Sequence, residues 1–259
     1  LNTTRLVFDY LTHFLYAGNE HSVHSPFLFN CYTKAIRTAK KNTFQPDIEL
    51  LRKKLRNDPS PIRTIDYGAG SRKHQPATIS TVAKNSLKPK SQAQLLYQLV
   101  RFTKAQHILE LGTSLGLTTA YLARGNEQSQ VVSLEGNPDL ANLAKNHLNQ
   151  LGCNRVEVIC GSFETQLEIA LTKLPRIDLA FFDGNHRYTP TLNYFEQCLS
   201  KKHNDSLFIF DDIYWSNEMK KAWSTLRQHK DVTVSVDLFH LGLLFFRQEQ
   251  KKQHFRLRY

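Results

Sequence analysis

A chain of 259 residues is long enough for one large α/β domain with an appendage. Its 41% hydrophobic and 22% charged content is ordinary for a globular protein, and no apolar run approaches the ~18 residues of a helical membrane span, which excludes that class. The formal charge of +11 points to anionic partners, nucleic acid among them, but the basic residues are dispersed in pairs such as Lys40-Lys41 and Lys201-Lys202 and form no tail.

In chain order, Leu6, Val7, Tyr10, Leu11 and Phe14 recur at helical spacing. Ser25-Pro26 reads as an N-cap followed by proline at the first helical position, opening a helix through about Arg37. A third apolar stripe, Ile48, Leu51 and Leu55, starts at Pro46 and ends before Pro59 and Pro61. Residues 1–90 are therefore expected to be a helical N-terminal extension, with 62–90 a lid-like loop. Within that loop Ile65-Asp66-Tyr67-Gly68-Ala69-Gly70-Ser71 carries a Gly-x-Gly turn. Arg72, Lys73, His74 and Pro76 follow it where an amphipathic helix would be needed, so it is not read as a ligand-binding turn.

From Ser91 onward helices and strands alternate. Strands are predicted at 107–111, 130–134, 156–160, 178–183 and 206–211, with helices at 116–124, 138–150, 163–173, 190–200 and 216–228. Such alternation specifies a parallel sheet covered by helices on both faces. Residues 232–238 and 243–246, joined through His240-Leu241-Gly242, read as a closing hairpin. Four cysteines make no C-x-x-C pair, Cys160 reads as a core thiol, and no signal peptide is recognisable, so a cytoplasmic chain is expected. Because the chain opens on Leu1, an upstream piece is expected to be missing.

The most informative stretch runs from Ile108 to Ala123: an apolar strand, a turn of the form E-x-G-x-x-x-G, then a helix. Glu135 closes the next apolar run nineteen positions after Gly116. Glycines let a backbone approach a ligand, and an acid at the end of the second strand takes ribose hydroxyls. A dinucleotide fingerprint needs a third glycine to seat a pyrophosphate, and Glu110 would repel one. It suits a ligand bearing a cationic or amino-acid group.

This run resembles motif I of class I S-adenosylmethionine-dependent methyltransferases, in the form found in catechol O-methyltransferase-like enzymes. Lys88-Pro89-Lys90-Ser91, the Asp178–Tyr188 segment with Asp183-Gly184-Asn185-His186, and Phe208–Trp215 with Asp211-Asp212 are similar to further segments of that group, which together span about residues 88–247. The resemblance implies a Rossmann-like, doubly wound sheet of seven strands, mostly parallel with an antiparallel last strand, in residues 91–259. It implies S-adenosylmethionine as cofactor, with Glu110, Gly112, Thr113, Ser114 and Gly116 at its amino-acid part and Glu135 and Gly136 at the ribose. Ser162, Phe163 and Asp183 complete that set, the first two beside adenine. It implies a divalent cation such as Mg²⁺ on Asp183, Asp211 and Asp212, although the group's last ligand is usually Asn. Catalysis would fall to His186, where catechol-type enzymes usually carry Lys, and to Asp183. The expected acceptor is a small molecule, aromatic or anionic, with a homodimer left open. The alternatives are an RNA methyltransferase using the basic surface and a catalytically silent scaffold. The (Asp/Asn)-Pro-Pro-aromatic motif of base N-methylation is absent after Asp183.

Overall fold

Consecutive apolar positions, as in Leu207-Phe208-Ile209-Phe210, fit a strand buried on both faces, which is what a parallel sheet between helix layers requires. The computed structural model, which describes residues 3–40, 45–65 and 74–259, has this architecture. The sheet strands are β3 (His107–Leu111), β4 (Gln130–Glu135), β5 (Val156–Cys160), β6 (Leu179–Phe182), β7 (Leu207–Asp211), β8 (Val234–Asp237), β9 (Leu241–Phe245) and β10 (Gln253–Arg256). They follow a hairpin formed by β1 (Pro61–Ile65) and β2 (His74–Thr78). Sheet order is β10-β8-β9-β7-β6-β3-β4-β5, and β9 alone runs against the rest.

The helices are α1 (Thr3–Tyr16), α2 (Pro26–Cys31), α3 (Pro46–Leu55), α4 (Ile79–Ser86), α5 (Lys90–Thr103), α6 (Leu117–Gly125), α7 (Pro138–Gln150), α8 (Phe163–Thr172), α9 (Tyr188–Leu199) and α10 (Asn217–Gln228). Ser25 caps α2 as expected, its hydroxyl accepting from the Leu28 N–H, and a π-helical turn at Tyr32–Ile36 continues it. None of these helices is long and apolar enough to cross a membrane.

The period of two along each strand divides the core. Ile108, Val131, Leu179, Phe181, Leu207 and Ile209 face one layer, together with Leu28, Cys31, Ala35 and Ile36 of the N-terminal segment and Leu95, Leu96 and Leu99 of α5. Leu109, Leu111, Val132, Leu134, Ala180, Phe182, Phe208 and Phe210 face the other, where Phe182 and Phe210 stack 4.3 Å apart and Phe195 and Phe246 meet Phe208 edge-on. Glu110 and Ser133 are register partners on the first face, a buried polar pair on a face that also carries Ile108, Val131 and Phe181.

Three expectations are corrected. The sheet has eight strands, because β10 adds to β8 at the edge. Its sequence, Gln-His-Phe-Arg, is only partly buried and has no apolar run to reveal it. The 62–90 segment is not a plain loop: it holds the hairpin and α4, capped by the Thr78 hydroxyl, and Ile62, Ile79 and Ala83 pack with Leu115, Leu117 and Ala141. Its Gly68-Ala69-Gly70 turn lies outside the described residues. Cys160 is exposed, because β5 is an edge strand whose outer positions face solvent.

Candidate active site

In an open parallel sheet the crevice lies beyond the carboxyl ends of the strands where the winding reverses, here between β3 and β6. The turn after β3 is built for close approach. Gly112 (φ 109°) lies so tightly against the next strand that a Cβ would stand 2.1 Å from the Asp183 carbonyl oxygen, and Gly116 (φ 82°) starts α6 in the left-handed region. The Gly112 and Thr113 N–H groups donate to the Leu134 carbonyl (2.9 and 3.1 Å), and the Asp183 N–H donates to that of Leu111 (2.8 Å). Turn, second strand and β6 terminus are thereby locked together.

Three carboxyl groups gather there. Glu110 is fully buried and accepts from the hydroxyls of Thr119 (2.5 Å) and Ser133 (2.6 Å), both on the same oxygen. Its Oε1 is buried with no partner among the described residues. Burial pushes this carboxyl up to about 8, against the two hydroxyl bonds, and the charges of Asp183 and Glu135 push the same way. Glu135 accepts from the backbone N–H groups of Ser114 (2.7 Å) and Asn137 (2.9 Å). Burial still holds it above the usual carboxylate range, over the opposing bonds from the Asn137, Ser114 and Gly136 N–H groups. Thr113 is buried with its hydroxyl 2.5 Å from that of Ser133, while Ser114, held left-handed at φ 48°, meets the Ser86 hydroxyl at 2.8 Å. Although the chain is basic overall, this pocket is acidic and suits a cationic ligand.

Ser162 precedes α8, and the Phe163 ring covers Gly184, where a Cβ would stand 2.6 Å from it. Tyr194 meets that ring edge-on and donates to Glu164 (2.6 Å).

The acceptor side differs from the expected trio. Asp183, His186 and Asp211 have ligand-type atoms within 4.8 Å of one another among the described residues; Asp212 is not in this group. Asp211 closes β7 fully buried, its Oδ1 without a partner among the described residues, while Asp212 follows with a left-handed backbone (φ 53°) and is half-buried. His186 Nε2 lies 3.8 Å from Asp183 Oδ1. Into this group comes Lys88, whose Nζ contacts Asp211 Oδ2 and lies 3.1 Å from Asp183 Oδ1.

Against this geometry, residues 109–213 match the family described as Methyltransferase domain. Over that segment the chain is similar to methyltransferase domains. It is 30% identical over 129 residues to the catechol O-methyltransferase of Mycobacterium tuberculosis, covering 47% of this chain and 54% of that one. It is 26% identical over 133 residues to the catechol O-methyltransferase of Niastella koreensis, covering 48% and 56%. The chain spans about half the length of these curated relatives. The fold is similar to that of a Bacillus cereus O-methyltransferase solved with S-adenosylhomocysteine, with a TM-score of 0.60 at 19% identity, over 82% of this chain and 96% of that one.

With Lys88 between them, Asp183 and Asp211 as placed do not offer a divalent metal an open site. The Lys88 ammonium stands where a dication on Asp183 and Asp211 would be held, and two cations repel at such short range. Sequence reading gave Lys88 no role, since a lone lysine before a helix looks like any solvated one. It also passed over Arg52, whose Nη1 donates to the Lys88 carbonyl (2.7 Å), and His240, which stands close enough to feel the charges of Asp212 and Lys88.

Proposed function

We propose that this chain is an S-adenosylmethionine-dependent O-methyltransferase acting on a small-molecule hydroxyl. One observation carries the reading: the β3 turn presents a buried acid with an unpartnered oxygen, Glu110 Oε1, beside Glu135 at the end of the neighbouring strand. An unmatched buried carboxyl oxygen costs stability and is compensated when an ammonium binds it. Glu110, Gly112, Thr113, Ser114 and Gly116 would hold the amino-acid part of the cofactor, and Glu135 with Gly136 the ribose. Ser162 and Phe163 would lie beside the adenine, and Asp183 would border the methyl-transfer position. Residues 1–90 would cap the 91–259 unit.

When bound, S-adenosylmethionine supplies an electrophilic methyl group: the acceptor oxygen forms the new C–O bond as the C–S bond breaks and its electron pair stays on sulfur. The chain's own residues would align the acceptor and remove its proton. His186 is the base, half-buried, with Nε2 3.8 Å from Asp183 Oδ1. The catechol O-methyltransferase names of the relatives favour an aromatic hydroxyl as acceptor, and the exposed Trp215 beside the β7 terminus offers a surface for such a ring.

The test is calorimetric titration with S-adenosylhomocysteine, followed by transfer of labelled methyl from S-adenosylmethionine to catechol. Binding with labelled methoxyphenol as product supports the reading. A well-folded chain that binds neither form of the cofactor removes it.

A further inference from the structure

We infer that Lys88 is the resident cation of the acceptor site, taking the place between Asp183 and Asp211 that a divalent metal would take, so that this chain orients an anionic acceptor oxygen without metal. The inference deepens the O-methyltransferase reading and rests on it.

Lys88 is held at this position from several sides. It lies between the end of α4 and the start of α5, and each neighbour is anchored. The Ser86 hydroxyl is bonded to Ser114 of the cofactor turn, and Arg52, buried on α3, donates to the Lys88 carbonyl. Arg52 is itself paired with Glu49 (3.1 Å), which also accepts from the Tyr121 hydroxyl (2.8 Å). The Lys88 side chain is only 11% exposed. This backbone clamp aims the side chain at the carboxyl ends of β6 and β7.

The charge arithmetic favours the same assignment. Asp211 is completely buried, and a buried carboxylate needs a cation or a proton. Lys88 supplies the cation by direct contact and reaches Asp183 with the same ammonium. An ammonium has three donors, and these contacts use two. Among the described residues the third meets no other acidic group, and it would serve the acceptor. A charged donor beside an oxygen losing its proton stabilises the oxyanion, which is the service a Lewis acid would otherwise perform. The acceptor hydroxyl proton goes to His186, and the methyl group leaves sulfur for the oxygen. The substrate class is therefore a hydroxyl acidic enough to react as its oxyanion, such as a phenol, and no metal-chelating pair of oxygens is required.

The test is Mn²⁺ binding, followed by electron paramagnetic resonance, to the full chain and to Lys88→Ala. S-adenosylhomocysteine titration and methyl transfer to catechol are run alongside. The parent is expected to leave Mn²⁺ free and to keep its activity in EDTA. Lys88→Ala is expected to bind Mn²⁺ at the vacated acids, to lose that binding when Asp211→Asn is added, and to transfer methyl at least about 100-fold more slowly without metal. Mn²⁺ bound by the parent and released by Asp211→Asn overturns the inference, as does a folded Lys88→Ala that binds no Mn²⁺. Should Lys88→Ala not fold, the parent and Lys88→Arg decide: both must exclude Mn²⁺. Failure of S-adenosylhomocysteine to bind the parent would instead remove the cofactor reading, and the Mn²⁺ results would still report what occupies the acid pair.

Discussion

Replacing Glu110 by glutamine probes the buried acid at the centre of the site. The carboxyl is fully buried, and its value is raised from an ordinary 4.5 to about 8. The folded chain therefore holds a proton here that the unfolded chain has already released above pH 4.5. Stability from this group is complete below that pH and is lost as pH rises through the folded value. At about 1.4 kcal/mol per pH unit of differential protonation, the parent loses about 3 kcal/mol from this group between pH 6 and pH 9. Glutamine has nearly the same shape, can still meet the Thr119 and Ser133 hydroxyls, and does not titrate. The gap in unfolding free energy between variant and parent should thus move by about 3 kcal/mol in favour of the variant across that range, measured by urea denaturation followed by circular dichroism at several pH values. The same logic predicts proton release on ligand binding. An ammonium placed at Oε1 would ionise Glu110, so the parent should release close to one proton near pH 7 when it binds S-adenosylhomocysteine, and Glu110→Gln should release none. Calorimetry in two buffers of different ionisation enthalpy reads that number. Parallel stability profiles for the two proteins would show that Glu110 is ionised in the folded chain and would refute the reasoning.

Two further substitutions test the turn. Glu135→Ala removes the acceptor for the Ser114 and Asn137 N–H groups and the proposed ribose anchor, so S-adenosylhomocysteine affinity should fall about 100-fold while far-ultraviolet dichroism stays native; unchanged affinity would place the ribose elsewhere. Gly112→Ala forces a Cβ into the Asp183 carbonyl at a φ of 109°, and should cost about 2–4 kcal/mol in denaturant titration. A loss below about 0.5 kcal/mol would mean that β3 and β6 are not locked as described.

The local pieces of this protein were legible in its sequence because short-range chemistry decides them. Strand, glycine turn and helix around Gly112 and Gly116 follow from residue types within sixteen positions, and the period of two along a strand puts Leu109 and Leu111 on one face and Glu110 on the other. The acids at the strand ends could be placed in one crevice from topology alone, because parallel strands share their carboxyl edge. What stayed hidden depended on partners far along the chain. The β1–β2 hairpin and β10 lack apolar runs and exist because other elements offer them an edge or a surface. Asp211 and Asp212 are chemically identical, and only the fold, which ends the buried strand β7 at Asp211, separates them. Lys88 meets Asp211 across 123 positions. Its sequence context marks a segment before the first helix of the sheet unit but gives the lysine no role; the clamp by Arg52 and the depth of Asp211 turn a solvated charge into the cation of the site, since burial makes an unpaired carboxylate costly enough to dictate its partner.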